Sequence, residues 1–141
     1  ATYDFAAWRD SGRPGAKPKF GLGRFVVVAD TDAEALQIAE RAYPMWHASF
    51  NHLFKVYGRM PSHPRPPTYA EIVADGRGIA GSPRTVTDVI RKQMADAGAD
   101  YFVGQLVFGS MKRPETMRSI ELFGTEVAPL VRQELAARDP V

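Results

Sequence analysis

The chain has 141 residues, 45% of them hydrophobic and 24% charged, enough to build one domain around its own core. Its 18 Lys and Arg against 16 Asp and Glu leave a net charge of +2, too small to argue for a nucleic-acid or anionic-membrane partner. With no cysteine, disulfides, thiolate catalysis and Cys-bound metals are excluded. No apolar run approaches the roughly 18 residues of a membrane span, and no charged-then-apolar leader opens the chain, so a cytoplasmic protein is expected.

The opening TYDFAAWRDSG places Tyr3, Phe5, Ala7 and Trp8 along a helical stripe that stops at Gly12. A Pro/Gly/Lys connector, GRPGAKPK, follows. Phe25 to Ala29 is a continuous β-branched, apolar run, the pattern of a strand covered on both faces. Thr31 with Glu34 then predicts a capping box at a helix start. Leu36, Ala39, Tyr43, Trp46, Phe50, Leu53, Phe54 and Tyr57 continue at helical spacing, and Pro44 should kink or split the segment.

GRMPSHPRPPT, residues 58–68, is a Pro-rich loop of the length that can serve as a lid or lie as a plain surface excursion. Thr68 and Glu71 predict a second capping box, opening a short helix that ends near Gly76. Gly78 to Ala80 is a short strand, Ser82 caps the next helix with Pro83 at its first position, and Gly98 suits a left-handed C-terminal cap. Val86, Val89, Ile90, Met94 and Ala97 form that helix's buried stripe. Tyr101 to Phe108 is the third strand, and Pro114 starts a helix with Met117, Ile120, Phe123, Val127 and Leu130 as its stripe, ended or bent by Pro129. Strands alternating with helices imply a parallel α/β sheet with right-handed crossovers. With about three strands, the chain reads as part of a larger structure.

In such proteins the functional groups gather at the carboxyl ends of the strands, here Ala29-Asp30-Thr31, Ala80-Gly81-Ser82 and Phe108-Gly109-Ser110. Gly81-Ser82 can present backbone N–H groups to an anion at a helix start. With no G-x-G-x-x-G and no Walker-type lysine, the residues favour Ser82 as a cap over phosphate binding. His47 and His52 stand five apart and fall on different helix faces, so no metal site is expected. Without G-x-S-x-G a hydrolase triad has no support. Asp30 and Asp32 read as helix-start charges rather than an acid–base pair, and Trp46, Phe50 and Phe54 as core.

Four pieces in order carry a resemblance. They are Val28-Ala29-Asp30-Thr31-Asp32-Ala33-Glu34-Ala35, Gly81-Ser82-Pro83 with Val86, Ala97-Gly98-Ala99-Asp100 with Phe108-Gly109, and Ser119-Ile120-Glu121-Leu122-Phe123 with Glu126-Val127-Ala128-Pro129. Residues 24–132 thereby resemble the carboxyl-terminal part of the bacterial-luciferase-like flavin monooxygenases, a TIM-barrel family. Arg84 stands where that family usually has Glu, which loses a favourable charge at the helix start.

The resemblance implies that residues 1–141 form a single partial-barrel domain, the last three-strand portion of a (β/α)8 barrel that needs about 250 residues. It implies an FMN- or deazaflavin-dependent oxidoreductase that oxidises a small organic substrate with O2. Most flavin contacts would lie in earlier strands, so no catalytic residue carries over. Gly81 and Ser82 remain as candidate cofactor-binding residues at the pocket mouth, and the chain alone would be inactive or nearly so. Exposed strand edges would favour a homo-oligomer. The alternatives are a truncated, non-catalytic relative acting as a binding or assembly module, and a small domain that binds a phosphorylated metabolite at Gly81-Ser82.

Overall fold

A computed structural model describes residues 10–12, 15 and 19–138. The expected amino-terminal helix and most of the connector after it lie outside the described residues. Three strands, β1 (Gly21–Val28), β2 (Gly78–Gly81) and β3 (Tyr101–Gln105), form one sheet in the order β2-β1-β3. All pairings are parallel, as the alternation predicts: Phe25 to Val28 lie against Gly78 to Gly81, and Gly21 to Phe25 against Tyr101 to Gln105. The apolar run of β1 thus takes the central position, where Val26, Val27 and Val28 are fully buried.

Helices cover both faces of the sheet. Phe25, Val27 and Ala29 pack with α1 (Asp32–Val56) and α2 (Tyr69–Ala74). Leu22, Val26 and Val28 face the other way, toward α3 (Pro83–Ala97) and the carboxyl-terminal helices α4 (Arg113–Leu122) and α5 (Ala128–Arg138). This division follows from the two-residue period of a strand, which sends alternate side chains to opposite sides.

The helix starts are largely local in origin. Thr68 and Glu71 form the reciprocal box that the spacing predicts, with Thr68 Oγ1 accepting from the Glu71 N–H and Glu71 Oε2 accepting from the Thr68 N–H. At Thr31 only half the box is recorded, the Glu34 N–H donating to Thr31 Oγ1 at 3.2 Å. Ser82 caps α3 with Pro83 at its first turn, and Gly98 closes it at φ +60°. Pro44 does not split α1, which runs unbroken for 25 residues although Pro44 has no N–H to give the Glu40 carbonyl. The second half of α1 departs from its expected stripe: Leu53 is 62% exposed and Tyr57 71% exposed, because the helix outruns the sheet that covers its first half.

Two further expectations are corrected. The third strand stops at Gln105 rather than Phe108, because the chain leaves the sheet edge to bury Phe108 among Phe25, Tyr43 and Tyr69 on the α1 face. The stripe of the last helix holds only in part. Val127 is buried and Phe123 packs against the core as expected, but Met117, Ile120 and Leu130 are exposed, and Ser119, Leu122 and Val131 are buried instead. After Leu122 the buried face passes to Val127 across a π-helical turn over Phe123–Val127, in which the Ala128 N–H reaches the Phe123 carbonyl. The wide turn stands immediately before Pro129, whose ring carries no N–H, and it adds one residue to the spacing between buried positions. Ser119, fully buried, accepts from the Val28 N–H at 2.9 Å and so ties α4 to the end of β1.

Candidate functional site

The carboxyl ends of β1 and β2 meet through one carboxylate. Asp32, at the first turn of α1, accepts from the Ser82 N–H at 2.7 Å and from the Thr85 hydroxyl at 3.0 Å. Those are donors at the amino end of α3, the place where an anion would sit. Gly81 makes the approach possible: a Cβ there would come within 2.9 Å of Asp32 Oδ1 and 2.8 Å of Thr85 Cγ2. The first turn of α3 holds no acidic residue of its own. Asp32 therefore brings, from 50 residues away, the negative charge that Arg84 does not provide.

The Ser82 backbone hydrogen bond, then the Thr85 hydroxyl, hold the Asp32 carboxyl below its ordinary value. A depressed folded value stabilises the protein above the unfolded value of 3.8, and the contribution is lost as pH falls through the lower folded value. Asp32→Asn is therefore expected to lower the melting temperature at neutral pH, with the gap to wild type narrowing as pH drops below 3.8. Paired thermal unfolding curves across that range check it; a constant gap would show that charge plays no part.

Asp30, the neighbouring candidate, takes a different partner. Arg118 donates to Asp30 Oδ1 at 2.6 Å and to Glu121 Oε2 at 2.8 Å, and the hydrogen bond from Arg118 lowers the Asp30 pKa. Asp30 and Asp32 thus each hold a separate helix rather than facing one another as an acid–base pair. The third carboxyl end does not join them. Gly109 and Ser110 turn onto α1, where Ser110 donates from its N–H to the Ala42 carbonyl and from its hydroxyl to the Arg41 carbonyl, both at 3.3 Å.

His47 anchors the Pro-rich loop. With the proton on Nε2 it donates to the Arg65 carbonyl at 2.9 Å, and Tyr43 donates from its hydroxyl to the Pro66 carbonyl at 3.0 Å. Among the described residues no group of three or more His, Asp and Glu is placed to hold a metal. No helix of the described residues is long and apolar enough to cross a membrane.

On the α1 face of the sheet, away from the carboxyl ends of β1 and β2, lies a cavity of about 260 Å³, lined by Arg65, Arg77, Trp46, Phe50, Val103 and Gln105 among others. Reading the strand ends alone misses it.

Comparison with known proteins places this architecture. The oxygenating constituent of 3,6-diketocamphane monooxygenase from Pseudomonas putida, a type II Baeyer–Villiger monooxygenase solved in complex with FMN, is 23% identical, with a TM-score of 0.56 over 89% of this chain and 37% of that one. Monooxygenase RslO1 from Streptomyces bottropensis is 18% identical, with a TM-score of 0.59 over 89% of this chain and 36% of that one. The uncharacterized protein y4wF of Sinorhizobium fredii (strain NBRC 101917 / NGR234) is 27% identical over 92 residues, 64% of this chain and 27% of that protein. No family model matches the chain. The chain spans between 27% and 37% of the length of these proteins. Its three parallel strands and flanking helices match a part of a luciferase-like TIM barrel.

Proposed function

We propose that this chain is the carboxyl-terminal portion of a flavin-dependent monooxygenase that oxidises a small organic substrate with O2. The observation that carries the reading is the overlap of 89% of the chain with a monooxygenase solved with FMN. The flavin, FMN or deazaflavin, would supply the redox chemistry, and the protein would position it and exclude water.

The residues at the carboxyl ends do not by themselves fit a flavin phosphate. The Ser82 amide is taken by Asp32, and Arg118 is engaged by Asp30 and Glu121. Gly81 and Ser82 would therefore contribute to the pocket mouth by shape, while the phosphate would be held by groups outside this chain. The natural oligomer, with a second copy or a longer polypeptide, would be the active species.

Purification of the protein from its complete natural reading frame tests this. A yellow protein that consumes O2 when given reduced FMN is expected, with this chain alone binding FMN at least about tenfold more weakly. A colourless protein without O2 uptake overturns the proposal. It would favour a binding or assembly module, a reading supported by the covering of both sheet faces, since such a unit can fold without a cofactor.

A further inference from the structure

We propose that the cavity on the α1 face of the sheet binds a small planar organic anion, a carboxylate or phosphate carried on one or two aromatic rings. At about 260 Å³ the cavity lies just below the ~300 Å³ at which pockets for drug-sized ligands begin. One or two rings suit that space.

Its charge is the first argument. Two guanidiniums arrive from separate elements: Arg65 from the Pro-rich loop and Arg77 from the turn before β2. Asp75 answers one of them, accepting from Arg77 Nε at 2.8 Å and from its terminal nitrogen. Arg24 also borders the cavity from β1, but its side chain turns to the α3 face, where it donates to Gln93 Oε1 at 2.7 Å. Arg65 makes no side-chain hydrogen bond or ion pair among the described residues. Two positive charges against one negative leave an excess of +1 around a half-buried crevice. A bound anion would balance that excess, and planar guanidinium forks match carboxylate and phosphate oxygens two at a time.

The wall is the second argument. Trp46 and Phe50 stack with their ring centroids 5.0 Å apart and planes 13° from parallel, and Phe25 stands edge-on to Trp46 at 4.5 Å. A flat apolar surface thus borders the cationic groups, and Gln105 offers a neutral donor and acceptor from β3. The hydrogen bonds from His47 and Tyr43 to the Arg65 and Pro66 carbonyls hold the loop that carries Arg65 in place, so little ordering accompanies binding.

The test needs no flavin, so its outcome is separate from that of the monooxygenase reading. The full chain is titrated with 1-naphthoate, 1-naphthyl phosphate and the neutral 1-naphthalenemethanol, following the Trp46 indole N–H by NMR. Saturable binding of at least one anion is expected, at least about tenfold tighter than the alcohol and weakening as salt is raised from about 0.02 to 0.3 M. The tighter anion identifies carboxylate or phosphate as the natural group. Arg65→Gln should weaken the anion about fivefold or more and leave the alcohol unchanged, while Arg65→Lys should recover part of the loss. No saturable shift, equal affinity for the alcohol, or an indifferent Arg65→Gln would overturn the proposal. The salt titration of the unmodified chain keeps the test decisive should a variant fail to fold.

Discussion

Gly109→Ala is expected to remove most of the folded population, with a loss on the order of 4 kcal/mol or more, against a total stability of about 5–15 kcal/mol for a domain of this kind. Gly109 lies at φ +55°, in the left-handed region. That conformation alone costs a residue with a side chain about 1–2 kcal/mol. The larger cost is steric. A Cβ at this position would stand 1.7 Å from the Ala42 carbonyl oxygen and 2.7 Å from its carbon. Both atoms belong to the backbone of α1, so no rotamer change clears them. The chain passes this close because Ser110 hydrogen-bonds to the Arg41 and Ala42 carbonyls. Gly58 provides the control, with φ +60° but nothing within 4 Å of its ideal Cβ. Gly58→Ala should show the conformational cost alone, about 1–2 kcal/mol. Urea unfolding of both variants separates the contributions; equal losses would show that the contact with α1 yields easily.

Tyr69→Ala should be comparably damaging, at about 3–5 kcal/mol for the lost aromatic volume, with a further ~0.5–1.5 kcal/mol for the lost hydroxyl hydrogen bond. The Tyr69 ring is 1% exposed, lies parallel to Phe108 at 6.0 Å and meets Tyr43 edge-on at 5.9 Å. Its hydroxyl is 2.9 Å from the Ile79 carbonyl and 3.1 Å from the Phe25 carbonyl, so one donor bridges β1 and β2. Tyr69→Phe keeps the ring and isolates the hydroxyl, and should cost only the ~0.5–1.5 kcal/mol of the lost hydrogen bond.

Burial pushes the Tyr69 phenol above its ordinary value of 10, and the folded state therefore keeps the proton longer than the unfolded chain does. Its contribution is complete below that pH and is lost as pH rises toward the folded value. Urea midpoints between about pH 8 and 11 should fall more steeply for the wild type than for Tyr69→Phe. Parallel declines would mean that the phenol gains access to water without unfolding.

Local signals were legible wherever the physics is local. The β-branched run of β1, the caps at Thr68, Ser82 and Gly98, and the buried Val86, Ile90 and Met94 of α3 all follow from periodicity and from donors that need acceptors within one turn. The π-helical turn before Pro129 was not legible, because a one-residue widening has no marker except the buried faces on either side of it. Met117 and Ile120 suit a helical stripe as well as Ser119 and Leu122 do, until Ser119 meets the Val28 N–H.

The candidate site divides in the same way. Ser82 as a cap could be read from its neighbours Pro83 and Thr85. That its amide is filled by Asp32 depends on two segments 50 residues apart lying side by side at adjacent strand ends. The arginine cavity depends still more on assembly, since Arg65 and Arg77 share no motif and meet only where a loop and a turn converge on the sheet. By itself the sequence determined an alternating, parallel α/β chain with well-capped helices, because hydrophobic period and capping act over a few residues. Only the tertiary structure decided which carboxylate occupies the Ser82 amide, which face the last helices bury, and where the positive charges gather, because those outcomes depend on distances between residues far apart in the chain.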